Sequence, residues 1–139
     1  MTIRCSNWFN RTICGNAFYN DWSGGILYLY KGTMPSGEIT QWSTYRDTRT
    51  SDLLATLSQA RPPSVSLNPI ATYFDSGKPV PAPATTAGTV TWAAWQRNSS
   101  GGAVIGKVTE PGGDGLFILE DTAVTTGANI VVVGFRMQW

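Results

Sequence analysis

Gly24-Gly25-Ile26-Leu27-Tyr28-Leu29-Tyr30-Lys31-Gly32-Thr33-Met34-Pro35-Ser36-Gly37 is the stretch that decides the fold of this 139-residue chain. Two glycines open an unbroken apolar run, and Gly-Thr-Met-Pro-Ser-Gly closes it. A run this short, rich in β-prone and aromatic residues and bounded by Gly and Pro, suits a strand and is too brief for a helix. In a strand Ile26, Tyr28 and Tyr30 share one face, and Leu27 and Leu29 share the other. Because both faces are apolar, both need cover, and later segments must supply a further layer. The expectation is an all-β chain folded as a two-sheet β-sandwich.

The rest of the composition agrees with that class. The length fits one domain with a proper core; the expected division is an N-terminal arm or short helix over 1–23 and a β-sandwich domain over 24–139. Fifteen Gly, eight Pro and only 14% charged residues punctuate the chain too often for long helices. Net charge is +1, with ten Lys and Arg scattered singly. No basic stripe can track phosphates, so nucleic acid is not an expected partner. The start, Met1 to Asn10, has no apolar leader pattern, and nowhere do about eighteen apolar residues run together. No membrane partner is expected, and the product is expected to be made in a cytoplasm. Cys5 and Cys14 are too few for a disulfide framework or a zinc site, and free thiols are expected.

Along the chain, Trp8, Phe9, Phe18 and Trp22 crowd the first segment without a clean period. They fit either a short helix, from about Asn10 to Asn20, that caps one end of the body, or an arm that docks on a neighbouring subunit through Trp8 and Phe9. Residues 38–51 are polar, with Ile39, Trp42 and Tyr45 spaced by three, and read as a connection or short edge segment. Asp52–Ser58 reads as the second strand, stopped by Arg61-Pro62-Pro63. Val65–Leu67 and Ile70–Phe74 are short strands, and Pro79–Gly88 is an extended surface crossover. Thr89–Arg97, Ala103–Thr109 and Leu116–Glu120 are strands, the first two joined by the loop 98–102. The last, Ala128–Trp139, alternates with Val131, Val133, Phe135, Met137 and Trp139 on one face and Ile130 and Val132 on the other. The total is about seven or eight strands at close turn spacing.

Catalytic and metal-binding patterns are sparse. The chain contains no His, which removes imidazole triads, His-ligated metals and the commonest general base. Glu120-Asp121 is the one adjacent acid pair; with Asp114 it could lend oxygens to calcium, but strand-end charges explain it better, and the spacing is not that of an EF-hand. Gly112-Gly113-Asp114-Gly115 lacks the Lys of a phosphate loop and reads as a turn. No catalytic residue, cofactor or metal is expected. Six Trp suit core and subunit packing, or stacking on sugars in a lectin-like module.

Several motifs together resemble a known family. Gly25-Ile26-Leu27-Tyr28-Leu29-Tyr30-Lys31-Gly32-Thr33-Met34-Pro35 resembles the G-x-L-x-I-Y-x-G-x-x-P opening of small virion structural proteins of tailed bacteriophages. Leu53-Leu54-Ala55-Thr56-Leu57 is similar to the L-L-A-x-L strand that follows there. Gly88-Thr89-Val90-Thr91-Trp92 and Ser99-Ser100-Gly101-Gly102-Ala103-Val104 look like its G-T-x-x-W strand and S-S-G-x-x-V hairpin, and Gly127 to Trp139 its closing strand. The chain departs in its tryptophan-rich start, in the Pro79–Gly88 tract and in an extra residue after Trp92. The resemblance implies a non-enzymatic virion component. It would be a capsid decoration (cement) protein on the major capsid protein, or a neck, tail or baseplate subunit among other virion proteins. A homo-oligomer is expected, a trimer by preference. The candidate interface residues are Trp8, Phe9, Phe18, Trp22, Trp42 and Trp139.

Overall fold

The computed structural model describes residues 25–37, 39–60, 64–67, 70–73, 80–96 and 102–135. Strands dominate: β1 (Gly25–Tyr30), β2 (Leu53–Ala60), β3 (Ser64–Leu67), β4 (Ile70–Tyr73), β5 (Val80–Pro83), β6 (Gly88–Thr89), β7 (Trp92–Gln96), β8 (Ala103–Thr109), β9 (Phe117–Leu119), β10 (Ala123–Val124), β11 (Asn129–Ile130) and β12 (Val132–Phe135). One short α-helix, α1 (Trp42–Asp47), and a 3-10 turn at Thr50–Asp52 lie between β1 and β2. The main sheet has six strands in the order β12-β9-β8-β7-β1-β2, with β6–β10, β5–β11 and β3–β4 as two-stranded ribbons.

β1 sits inside this sheet, antiparallel to β2 on one side and β7 on the other. Its two faces divide as the alternation requires. Leu27 and Leu29 join Leu57, Ala93, Trp95, Phe117, Leu119 and Val132 in an inner core. Tyr28 and Tyr30 join Trp42, Trp92 and Ala94 in an outer layer, with Ile26 packed against it. Each large side chain fully buried this way stabilises the fold by about 1.5–3 kcal/mol relative to exposure.

The register between β1 and β2 slips where Leu29 faces Ala55 and Tyr30 faces Leu53. The extra residue is Leu54, so the consecutive Leu54 and Ala55 both lie in the inner core. The bulge also turns the Leu54 carbonyl toward the next segment. It accepts from Thr85 N at 2.9 Å and Thr85 Oγ1 at 3.1 Å. Residues just after β5 are therefore latched onto the outer edge of β2. β5 pairs with β11, and β11 leads through Val131 into β12, where the Val131 carbonyl accepts from Glu120 N at 3.0 Å. The outer edge of β2 thus meets neighbouring chain, which blunts it as a template for unwanted pairing.

β8 and β9 run parallel over a two-residue overlap, Val108 to Phe117 and Thr109 to Ile118. The chain steps sideways through residues 110–116, a loop wrapped tightly around Thr109. Gly115 N donates to Thr109 Oγ1 at 3.0 Å, and a Cβ on Gly113 would lie 2.6 Å from Thr109 Cβ. Close approach, together with φ of 94° at Gly112, accounts for the Gly-rich sequence there.

Four sequence expectations change. Residues 38–51 contain α1, because Trp42 drops into the outer layer and Tyr45 packs beside it, which stabilises a helix too short to form by propensity. The Pro79–Gly88 tract contributes a paired strand, β5; Pro81 and Pro83 stand two apart, so both missing N–H groups fall on one edge and the other edge pairs. The Thr89–Arg97 strand breaks at Val90-Thr91, with β6 joining β10 and β7 joining the main sheet. The final strand breaks at Val131, giving twelve strand segments in all among the described residues. The arm with Trp8, Phe9, Phe18 and Trp22, both cysteines, the loop 98–101 and Trp139 lie outside the described residues.

Candidate interaction surface

The most distinctive chemistry lies on the outer face of the main sheet, where strand register stacks aromatic residues in rows. Tyr30 faces Trp92 across the β1–β7 pair, and their rings stack at 4.2 Å between centroids with planes 10° apart. Trp92 Nε1 donates to the Lys31 carbonyl at 3.2 Å. From above, α1 lowers Trp42 edge-on to Tyr30 at 6.2 Å and tilted against Tyr28 at 5.9 Å. Such geometries are worth about 0.5–1.5 kcal/mol each beyond area burial.

Two arginines fasten the rim. Arg46 Nη1 donates to Tyr28 Oη at 3.1 Å and to Gln96 Oε1 at 3.0 Å, tying α1 to β1 and β7 together. Arg49 Nε donates to Tyr45 Oη at 3.0 Å, and Arg49 Nη1 lies 3.7 Å from Asp52 Oδ2. Sequence reading did not single out Arg46, Arg49 or Gln96. The available signal was the Tyr45 to Arg49 spacing of four, which acquires meaning only if the segment is a helix.

Two buried polar atoms in this layer, Tyr30 Oη and Trp42 Nε1, have no hydrogen-bond partner among the described residues. Burial pushes the Tyr30 hydroxyl well above the ordinary tyrosine range, with neighbouring Tyr28 adding to the effect. The folded state therefore holds Tyr30 neutral, whereas the unfolded chain ionises it near pH 10. The stability so conferred is complete below that pH and is lost as pH rises toward the folded value, by about 1.4 kcal/mol per pH unit. Tyr30→Phe is expected to be neutral or stabilising by about 1 kcal/mol at pH 7, since it deletes an unsatisfied hydroxyl. It should also flatten the loss of stability between pH 10 and 11.5, measured by urea denaturation of both proteins; equal alkaline slopes would refute the assignment.

Of the proposed interface residues only Trp42 falls among the described positions. It is 3% exposed, with its indole packed inside the chain, so it offers a partner little surface. Trp92 and Trp95 are buried as well, and the one large exposed hydrophobic among the described residues is Met34 at 42%. None of these tryptophans presents an open ring face on which a sugar could stack.

Around Trp42 the surface is concave. A groove of about 400 Å³ runs between Gln41, Trp42 and Ser43 on one wall and Gly102, Ala103 and Ile105 on the other. A second, of about 440 Å³, lies across the Ile39-Thr40-Gln41 ridge, against Pro35, Tyr45 and Thr48. The acids lie elsewhere. Glu110 Oε1 accepts from Thr122 N at 3.2 Å and Thr122 Oγ1 at 3.1 Å, and Asp121 Oδ1 accepts from Ala123 N at 2.8 Å. Both are turn-holding roles. Asp114 pairs with Lys107 at 2.9 Å, which holds its carboxyl below the usual range. Among the described residues no three His, Cys, Asp or Glu side chains converge as a metal site, and no helix is long and apolar enough to cross a membrane. The arrangement is suited to recognition by shape and apolar contact. No family model, curated protein or solved structure matches the chain.

Proposed function

We propose that the chain is a structural component of a tailed-bacteriophage particle, a decoration protein that seats on the major capsid protein and stabilises the head. The observation that carries this reading is the ordered series of motifs. The segments at Gly25–Pro35, Leu53–Leu57 and Gly88–Trp92, and the one ending at Ala103-Val104, fall on β1, β2, β6–β7 and the start of β8. Three of those strands are neighbours in one sheet, and β8 is the next along. In this reading the protein acts by binding and not by turnover: a ligand specific for the assembled lattice stabilises it by its binding free energy. Closed oligomers, a trimer by preference, would multiply weak single contacts into strong attachment. The same reading includes a two-layer sandwich, in which the β5–β11 and β3–β4 ribbons cover the inner face of the main sheet.

Quantitative mass spectrometry of purified particles tests the proposal. A shell component repeated over a symmetric lattice should appear on the order of hundreds of copies per particle. A few or a dozen copies would move it to the neck, tail or baseplate. Absence from particles, combined with retention on a glycan array, would replace the proposal with a sugar-binding module.

A further inference from the structure

The loop that carries the chain from β8 to β9 contains the sequence's single Asp-Gly step, Asp114-Gly115, and the chain has no Asn-Gly. Such a step is chemically unstable wherever the backbone is free to flex. The glycine amide nitrogen attacks Cγ of the neutral aspartyl side chain, the N–Cγ bond forms, and the amide proton and the carboxyl hydroxyl leave as water. Water then opens the cyclic succinimide at either carbonyl. Cleavage between nitrogen and Cγ restores aspartate, whereas cleavage between nitrogen and the main-chain carbonyl carbon leaves isoaspartate, with an extra carbon in the backbone. Glycine favours the closure because it has no side chain to crowd the nitrogen.

The fold cannot dispense with this step. A Cβ at residue 115 would stand 2.7 Å from Thr109 Oγ1, 2.8 Å from Thr109 N and 2.9 Å from the Lys107 carbonyl oxygen. Two of those atoms are β8 backbone, so glycine is required there. Residue 114 supplies the carboxylate that pairs with Lys107 at 2.9 Å, and its side chain is 84% exposed, open to the water that the chemistry needs. The same contacts oppose the reaction. Gly115 N donates to Thr109 Oγ1 at 3.0 Å, which engages the hydrogen of the would-be nucleophile and fixes the 114–115 peptide plane against β8. Lys107 holds the Asp114 carboxyl below its usual range, in the ionised form that resists attack. We propose that Asp114-Gly115 is a latent site of succinimide and isoaspartate formation, and that the Thr109 hydroxyl is the lock that keeps it closed in the folded chain. An isoaspartate there would lengthen the backbone just before the parallel pairing of Val108 with Phe117 and Thr109 with Ile118, so a modified chain loses the register of this crossover. The virion reading plays no part in this proposal.

Incubation of the full chain at neutral pH in water labelled with heavy oxygen tests it, because each ring opening leaves a label on the carboxyl of residue 114, which tandem mass spectrometry locates after digestion. A synthetic peptide of residues 108–118 in the same buffer gives the unlocked rate. The folded chain should react about 5–30-fold more slowly than the peptide, the factor that corresponds to fixing the backbone of one residue. Thr109→Val keeps the shape and removes the acceptor, and should raise the rate in the folded chain about two- to tenfold, the net worth of one hydrogen bond. Thr109→Ser retains the hydroxyl and should stay near the parent rate; circular dichroism establishes that each variant is folded. Asp114→Asn closes the same ring with loss of ammonia while Thr109 stays in place, and it too should lag its own peptide, so the lock is tested even if Thr109→Val does not fold. Equal rates in folded chain and peptide, or equal rates in the folded Val and Ser variants, would overturn the proposal.

Discussion

Replacing Trp92 with alanine is expected to remove about 3–5 kcal/mol of folding stability, the cost of deleting a large aromatic from a packed site. Trp92 is 1% exposed, stacks on Tyr30 at 4.2 Å, and holds the Lys31 carbonyl at 3.2 Å. The variant loses the area, the ring contact and the donor together, and leaves a cavity beneath α1 that a six-residue helix cannot collapse to fill. Guanidinium denaturation followed by circular dichroism measures the effect, and a shift worth less than about 1.5 kcal/mol would show that the outer layer is not a true second core. Trp92→Phe should recover about half the loss, since the stack survives and the hydrogen bond does not.

The second large effect belongs to a residue without a side chain. Gly106 lies on β8 opposite Ala93, on the inner face, and a Cβ there would stand 2.5 Å from Leu116 Cδ2 and 2.6 Å from Leu116 Cβ. Rotating the leucine relieves the first clash and not the second, because Cβ moves only with the backbone. Gly106→Val should therefore cost about 3 kcal/mol, at the upper end of overpacking losses. Gly32→Ala provides the contrast. Its φ is 85° but nothing lies within 4 Å, so only backbone strain opposes the methyl, about 1–2 kcal/mol. If both variants unfold at the same denaturant concentration, the close approach at Gly106 is not the controlling feature.

These two residues mark where sequence reading reaches and where it stops. β1 and the β7–β8 pair were legible because short β-prone apolar runs, read at the two-residue strand period between Gly-rich turns, leave few alternatives. The division of β1 into a leucine face and a tyrosine face followed from the same period. α1 was not legible, since its stability comes from Trp42 meeting Tyr30 across the fold and not from helix propensity. The bulge at Leu54 was equally hidden, because it makes two consecutive residues face inward where alternation puts one in and one out. β5 was masked by its prolines, and the need for glycine at 106 depends on Leu116, a contact no local pattern reveals. For the candidate surface, composition pointed to aromatics but could not separate packing from recognition. Trp42 belongs to the fold, while its groove is made by Ala103 and Ile105, residues with no signature of their own.

The interior position of β1 has a consequence for how the molecule is made. Its partner β7 is far along the chain: Lys31 and Trp92, joined by a hydrogen bond, are 61 positions apart. At about 5–20 residues per second of synthesis, β1 emerges roughly 3–12 s before the strand that closes over its second edge. Pairing with β2 can begin early, but the other edge and both apolar faces wait for distant segments, and closure of so long a loop places the domain among slow folders, in about milliseconds to seconds once complete. A nascent chain carrying Ile26-Leu27-Tyr28-Leu29-Tyr30 uncovered for that interval is a natural client for a chaperone.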